Sequence, residues 1–440
     1  MLEWVPDRRL ETHLQNLFQT CDVLIIGGGP AGSTIGSLLA KKGWHVTVLE
    51  KDRHPRFHIG ESLLPMNRKL FEELGVALEI EQLGVVKNGA EFHSMEKESQ
   101  TFYFAGALDK RYGYAYQVRR SEFDHALLQN CRAKGATVHE GQRVKAVDFD
   151  GDPLVTATDD AGITRQWRAR FIVDASGRDT FLASRFDIKR KNPKHASAAL
   201  FTHFEGAQRR DGHDEGNISV YWFDHGWIWL IPLTNDVMSV GAVCWPYYLK
   251  SRTVDVTRFF MDTIASCPGA AERLRDATLV APVTATGNYS YRATRMAGKR
   301  YLLVGDAYAF VDPVFSSGVL LAMNSASLGA DVVDRTLRKR WRTRVRHFER
   351  TVKSGLSAFS WFIYRVNTPA LRQMLLYPKN HLRMIEGILS LLAGDIFGDT
   401  PVRSKLLAFK IVYYATSVKR ARESWRAYLR RRRNAAHGAL

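Results

Sequence analysis

The chain has 440 residues, 45% of them hydrophobic, and carries 63 Lys and Arg against 45 Asp and Glu, a net charge of +18; that is enough chain for two or three domains with an ordinary core. The first twenty residues hold Glu3, Asp7, Arg8, Arg9 and Glu11, which argues against a secretory signal, and no stretch is long and apolar enough to predict a membrane span. Four scattered cysteines (Cys21, Cys131, Cys244 and Cys267) form no C-x-x-C, which argues against a disulfide framework or a zinc site and for a reducing, cytoplasmic setting.

Residues 1–20 read as an arm packed on the first domain. The stretch Asp22 to Glu50 then reads as strand, glycine turn, helix and strand. Val23 to Ile26 is a short apolar run that stops at Gly27, and Gly27, Gly29 and Gly32 complete G-x-G-x-x-G. Gly27 lets the chain turn sharply, Gly29 lets a pyrophosphate approach the backbone, and Gly32 lets helix and strand pack closely. The helix opening at Pro30 and Ala31 aims unpaired N–H groups at the phosphates, and Gly43 ends it. Val46 to Leu49 is the second strand, and Glu50 after it can accept hydrogen bonds from ribose hydroxyls.

His54 to Pro65 (HPRFHIGESLLP) is a loop, Met66 to Leu74 has helical spacing, and Val85 to Phe92 reads as a turn into a strand. Tyr116 to Asp124 enters an amphipathic helix with Ser121 as its N-cap. Thr137–Glu140, Val144–Phe149 and Leu154–Thr158 read as a small meander, and Phe171–Asp174 as a buried strand ending in a glycine turn. From about 190 to 285 the pattern is strand-like, in Ala198–Phe204, Ser219–Phe223, Trp227–Ile231 and Met238–Cys244. Tyr301 to Asp306 returns to the first domain as a strand, and a long helix runs from Val319 to Leu337.

The expected fold is therefore α/β. A Rossmann-like dinucleotide domain over 21–190 and 286–337 is interrupted by a mixed or antiparallel substrate sheet over 191–285, and a basic helical region occupies 338–440. Part of the excess charge sits at that end, in Lys419, Arg420, Arg422, Arg426 and Arg430 to Arg433. Nucleic acid, an anionic membrane surface and an acidic protein each complement such charge.

Asp174-Ala-Ser-Gly-Arg178 and Gly305-Asp306 both end apolar strands, the edge that faces ligand in a doubly wound sheet. With the glycine turn and Arg120 in V-R-R-S-E-F-D, this order resembles the group A flavin monooxygenase superfamily. Three further motifs resemble the flavin-dependent halogenases within it. Trp227-Ile-Trp229-Leu-Ile-Pro232 fits W-x-W-x-I-P. Phe310 to Gly318 fits F-x-x-P-x-x-S-x-G through Pro313 and Ser316. Lys87, in K-N-G-A-E-F, matches the active-site lysine.

The resemblance implies FAD held by Gly27, Gly29, Ala31, Gly32, Glu50, Lys51, Ser62, Arg120, Gly305, Asp306 and Pro313. It implies chloride or bromide held by Ser317 and Gly318 at a helix start, and catalytic roles for Lys87, Trp227 and Trp229. Reduced FAD and O2 would oxidise the halide to hypohalous acid, Lys87 would hold that oxidant, and the tryptophans would line the passage to the substrate. The chain carries no second dinucleotide fingerprint, so a separate flavin reductase would supply FADH2.

Phe315 stands where tryptophan halogenases carry a Glu before the halide turn. That form resembles the branch acting on phenols and pyrroles, often tethered to an acyl or peptidyl carrier protein. An acidic carrier would meet the basic helices beyond Val345 and Trp361, Phe362, Tyr364 and Trp425; a membrane surface competes for the same features, and nucleic acid is not expected. The alternatives are a flavin hydroxylase, a reductase of the geranylgeranyl-reductase type and a non-catalytic flavoprotein.

Overall fold

The computed structural model describes residues 18–437, apart from 97, 193–196, 288–289, 340–341 and 398–399. Residues 1–17, most of the expected arm, lie outside the described residues, and Gln19 and Thr20 already belong to the first strand.

The elements that position the site are, in chain order, β1 (Gln19–Ile26), α1 (Pro30–Lys41), β2 (Val46–Leu49), α2 (Asn67–Leu74), β3 (Gly84–Lys87), β4 (Gly89–His93), β5 (Ser99–Tyr103), β6 (Ala115–Val118), α3 (Arg120–Ala133), β7 (Thr137–His139), β8 (Gln142–Asp148), β9 (Leu154–Asp159) and β10 (Thr164–Asp174). They continue with β11 (Ala198–Glu205), β12 (Ile218–Phe223), β13 (Gly226–Pro232), β14 (Val237–Cys244), β15 (Tyr301–Leu303), α4 (Gly318–Leu337), α5 (Arg342–Ile363), α6 (Met384–Ala393), α7 (Val402–Lys419) and α8 (Ala421–His437).

The first sheet runs β15-β10-β1-β2-β7 with all neighbours parallel. Val23, Leu24, Ile25, Val46 and Val48 are fully buried. A parallel strand covered on both faces needs such an unbroken apolar run rather than alternation. Helix α1 packs between α3 and α4 over this sheet. Gly36 of α1 sits where a Cβ would meet the Cys131 sulfur of α3 at 2.6 Å, so the close crossing of the two helices needs a glycine there. Strand β7 pairs with β2 in this sheet, so Thr137–Glu140 is not part of a meander; only β8 and β9 extend antiparallel from β10.

The second sheet runs β11-β14-β13-β12-β4-β5. Its β11 to β14 ladders are antiparallel, and β4 joins β12 in parallel. Strands β4 and β5 therefore belong to this second sheet, although they precede the expected boundary at 191. Val85 to Lys87 is not a turn but the strand β3, paired with β6. Ser121 is not the N-cap of α3: Arg119 holds that position, with no side-chain cap. The region beyond 338 is helical as expected. Its Phe348, Phe359, Phe362, Leu371 and Leu391 join the same core as the first sheet.

Candidate active site

The carboxyl ends of β1, β10 and β15 bring Ile26, Ala175 and Val304 to one wall of a cavity of about 450 Å³. The second sheet supplies Ile218, Trp227, Trp229 and Ile231 to another wall.

The glycine turn is built for close approach. Gly27 has φ +100°, and an added Cβ would stand 2.5 Å from the Ala175 carbonyl oxygen. A Cβ at Gly32 would overlap the Gly27 carbonyl oxygen. Gly29 is different: its nearest neighbour would be Arg56 Nη2 at 3.6 Å, so its bare Cα faces open cavity. Helix α1 opens there with Pro30 in its first turn and no side-chain cap. Its first N–H groups and positive dipole end are thus available to an anionic group.

Glu50 is buried, and its carboxylate accepts from Gly28 N at 2.6 Å and from Asp52 N at 2.9 Å. It fixes the glycine turn and still lines the cavity. Lys51, also on the wall, pairs with Asp179 at 2.6 Å.

Arg120 organises the loop that closes the cavity. It binds Asp124 through Nε at 2.7 Å and Nη2 at 3.0 Å, and its Nη1 donates to the Ile59 carbonyl at 2.8 Å. Arg56 reaches the same Asp124 at 3.2 Å. Burial pushes Asp124 up, but the Arg120 charge and hydrogen bonds outweigh it and the carboxyl titrates below its ordinary range. An ionised Asp124 thereby anchors two arginines and, through Arg120, the backbone at 59–60. Burial, with the Arg120 charge, lowers His58 to about 4, so this histidine is neutral near pH 7.

Asp306 lines the cavity beyond β15, where burial raises it to about 6. Its carboxylate has no hydrogen-bond partner among the described residues, which leaves it open to ligand hydroxyls. Gly305, with φ +58°, lies behind it and off the wall.

The turn before α4 begins at Asp312, whose carboxylate accepts from Val314 N at 3.2 Å and Ser197 Oγ at 3.1 Å. Pro313, Ser316 and Gly318 line the cavity. Ser316 is left-handed at φ +54°, and α4 starts at Gly318 with Ser317 as an N-cap that makes no side-chain bond. Nothing stands within 4 Å of a Cβ placed on Gly318. Ser317 itself is fully buried off the wall, its Oγ without a partner among the described residues. Phe315 is buried with its ring 6.4 Å from that of Phe92, so an apolar contact fills the position just before Ser316.

Trp227 and Trp229 both line the cavity, their rings 5.8 Å apart on one face of β13 as the period of two requires. Trp229 donates to Ser239 Oγ at 3.2 Å and lies across Gly241, where any side chain would overlap the indole.

Lys87, like Gly32, Gly305 and Ser317, is an expected residue that does not line the cavity. It is buried, with its Nζ donating to Ser62 Oγ at 2.9 Å and to the Leu63 carbonyl at 3.0 Å and lying 5.2 Å from the Phe104 ring. No carboxylate among the described residues pairs with it, and burial alone lowers it to about 7. Ser62 lines the cavity, so it stands between the amine and that space.

Two residues of the site carry no assignment from the sequence. Glu61 is buried on the cavity wall, its Oε1 2.9 Å from His203 Nε2 and its Oε2 without a partner among the described residues. Its place in the G-E-S run beside Ser62 was the available signal. His203 had no signal at all, being one histidine in a strand.

A family model described as an FAD binding domain matches residues 20–331. Tryptophan 2-halogenase of Chondromyces crocatus is 36% identical over 315 residues, 70% of this chain and 60% of that protein. The 1H-pyrrole-2-carbonyl-[peptidyl-carrier protein] chlorinase of Pseudomonas fluorescens is 30% identical over 407 residues, 86% of this chain and 89% of that protein. The chain thus spans under two thirds of the first relative and most of the second. Among solved structures, the myxobacterial chondrochloren halogenase superposes with a TM-score of 0.76 at 34% identity, covering 87% of this chain and 92% of that one. A flavoprotein/dehydrogenase from Cytophaga hutchinsonii gives 0.86 at 29% identity, covering 91% and 100%.

Proposed function

The chain belongs to the flavin-dependent halogenases, within the family that shares this FAD-binding domain, and from that premise we propose that it halogenates an electron-rich aromatic ring of phenol or pyrrole type. FAD fits the residues present. The turn at Gly27 to Gly32 leaves a bare Cα and uncapped N–H groups for a pyrophosphate, Glu50 and Asp306 offer carboxylates to hydroxyls, and Lys51, Ser62, Arg120 and Pro313 border the same space. When bound, reduced FAD with O2 supplies the oxidising equivalent that turns chloride or bromide into hypohalous acid.

The protein's own groups do the rest. The backbone N–H groups of Ser317 and Gly318 hold the halide at the start of α4, where the helix dipole favours an anion. Trp227 and Trp229 fill the sheet side of the cavity and keep substrate rings out of it. Lys87 receives the oxidant. Burial lowers its pKa to about 7, which brings the neutral amine within reach near neutral pH. A neutral amine that donates its two protons to Ser62 and Leu63 keeps its lone pair for hypohalous acid or an electrophilic halogen. With Phe315 before the halide turn, the reading favours rings reactive enough to need no carboxylate there.

A separate flavin reductase delivers FADH2, since the sequence holds one dinucleotide fingerprint. The aromatic acid arrives as a thioester on an acidic carrier protein, as the name of the Pseudomonas relative describes for that enzyme. Trp361 is only half-buried and Trp425 is exposed, so part of each ring is accessible; Tyr364 is half-buried with its hydroxyl accepting from Asn192 Nδ2 at 2.7 Å, and Phe362 is buried and is withdrawn from that set.

The observation that carries the reading is one cavity that joins the glycine turn, the two tryptophans and the turn before α4. The test is whether product formation requires halide while flavin binding does not. Turnover of an aromatic without halide would favour the hydroxylase or reductase reading, with which the Cytophaga flavoprotein/dehydrogenase also agrees.

A further inference from the structure

Helix α7 is apolar on two sides, and the described residues cover only one. Val402, Leu406, Phe409 and Tyr413 are buried against the body of the protein. Leu407, Ile411, Tyr414 and Val418 recur at i, i+4, i+7 and i+11, a single stripe of a 3.6-residue helix, and are 60%, 62%, 51% and 75% exposed. On the adjoining α8, Trp425 and Tyr428 stack on each other 5.5 Å apart and are 60% and 43% exposed. Single exposed apolar residues need no explanation, but an aligned row of four, continued by two aromatics, marks an interaction surface.

The charge around the stripe narrows the occupant. Residues 402–437 contain eleven Lys and Arg and one acid, Glu423. Arg403 and Lys410 stand beside the stripe on α7, Arg420 and Arg422 lie in sequence between it and Trp425, and Arg426 lies between Trp425 and Tyr428. A second copy of the chain would set this charge against itself. The complement is therefore anionic. Aliphatic side chains in a row, Tyr and Trp nearby and a field of Arg and Lys form the composition of a helix that lies in the headgroup region of a bilayer. No helix of the described residues is long and apolar enough to cross one.

We infer that α7 and α8 form a surface anchor that lays Leu407, Ile411, Tyr414 and Val418 into an anionic lipid leaflet. The inference does not depend on the chemistry of the cavity.

The test is co-sedimentation of the full chain with phosphatidylcholine vesicles, with and without phosphatidylglycerol, at low and high salt. The wild type is expected to sediment with the anionic vesicles only, and less at high salt. The triple variant Leu407→Ser, Ile411→Ser, Val418→Ser is expected to lose that sedimentation while keeping its circular dichroism and FAD binding. A wild type that ignores anionic vesicles overturns the anchor. So does a triple variant that sediments like the wild type, because charge alone then explains binding. A stripe whose substitution instead dissolves a dimer, or abolishes binding to an acidic carrier domain with vesicle binding intact, belongs to that other occupant.

Discussion

The Nζ of Lys87 donates to Ser62 Oγ at 2.9 Å, and Ser62 in turn lines the cavity, so the amine stands one side chain behind the wall. An amine with no carboxylate partner at full burial is costly to keep unless its neutral form is used. Lys87→Ala is expected to lower halogenation by about 10²–10⁴-fold, the range for a positioned proton-transferring group. FAD affinity and the rate of flavin reoxidation by O2 should stay at wild-type values. Retained halogenation in the variant would return Lys87 to a packing role.

The same burial makes a stability prediction. Lys87 titrates at about 7 in the folded chain and near 10.5 when exposed. Between these values the unfolded state binds the extra proton, so stability rises with pH across this window, by up to roughly 1.4 kcal/mol per pH unit. Below about 7 both states are protonated, and the full cost of the buried charge is present. Lys87→Met removes the titration. Its advantage over wild type in urea unfolding should be largest at pH 6 and should shrink steadily toward pH 9. A gap independent of pH would mean that the amine is solvated.

The glycine turn separates two kinds of glycine. Gly27→Ala forces a Cβ to within 2.5 Å of the Ala175 oxygen at a positive φ, and should cost on the order of 1–3 kcal/mol of stability as well as FAD. Gly29→Ala has 3.6 Å of room and φ −72°, so it should fold normally and lose FAD affinity alone. Thermal melts of both proteins, with flavin titrations, check this. Normal FAD binding by Gly29→Ala would mean that no phosphate approaches there.

What was legible in the sequence was what local chemistry dictates. The need for glycine at Gly32 comes from the Gly27 carbonyl five residues before it, and the shared face of Trp227 and Trp229 comes from the period of a strand. What was not legible depends on distant pairing. Strand β4 joins the second sheet by running parallel to β12, more than a hundred residues later, and no local pattern announces it. Glu61 meets His203 only because the closing loop crosses β11. Nothing local marks Lys87 as buried; its surroundings include Phe104, the Ser62 hydroxyl and the Leu63 carbonyl, which the sequence does not bring near.

The substrate proposal makes its own prediction. The same aromatic acid, offered free and as a carrier thioester, should be turned over faster as the thioester, and that advantage should fall as salt screens the attraction between a +18 protein and an acidic carrier. Equal turnover of both forms at every salt concentration would point to a free phenol or pyrrole.

The most direct measurement supplies chemically reduced FAD, O2 and an electron-rich phenol or pyrrole acid to the purified protein, in chloride, in bromide and in halide-free buffer, and reads the product by mass spectrometry. The expected result is a product whose mass and isotope pattern change with the halide present, with no product in halide-free buffer. An oxygenated or reduced product that forms equally in all three would contradict halogenation and leave a flavin hydroxylase or reductase in its place.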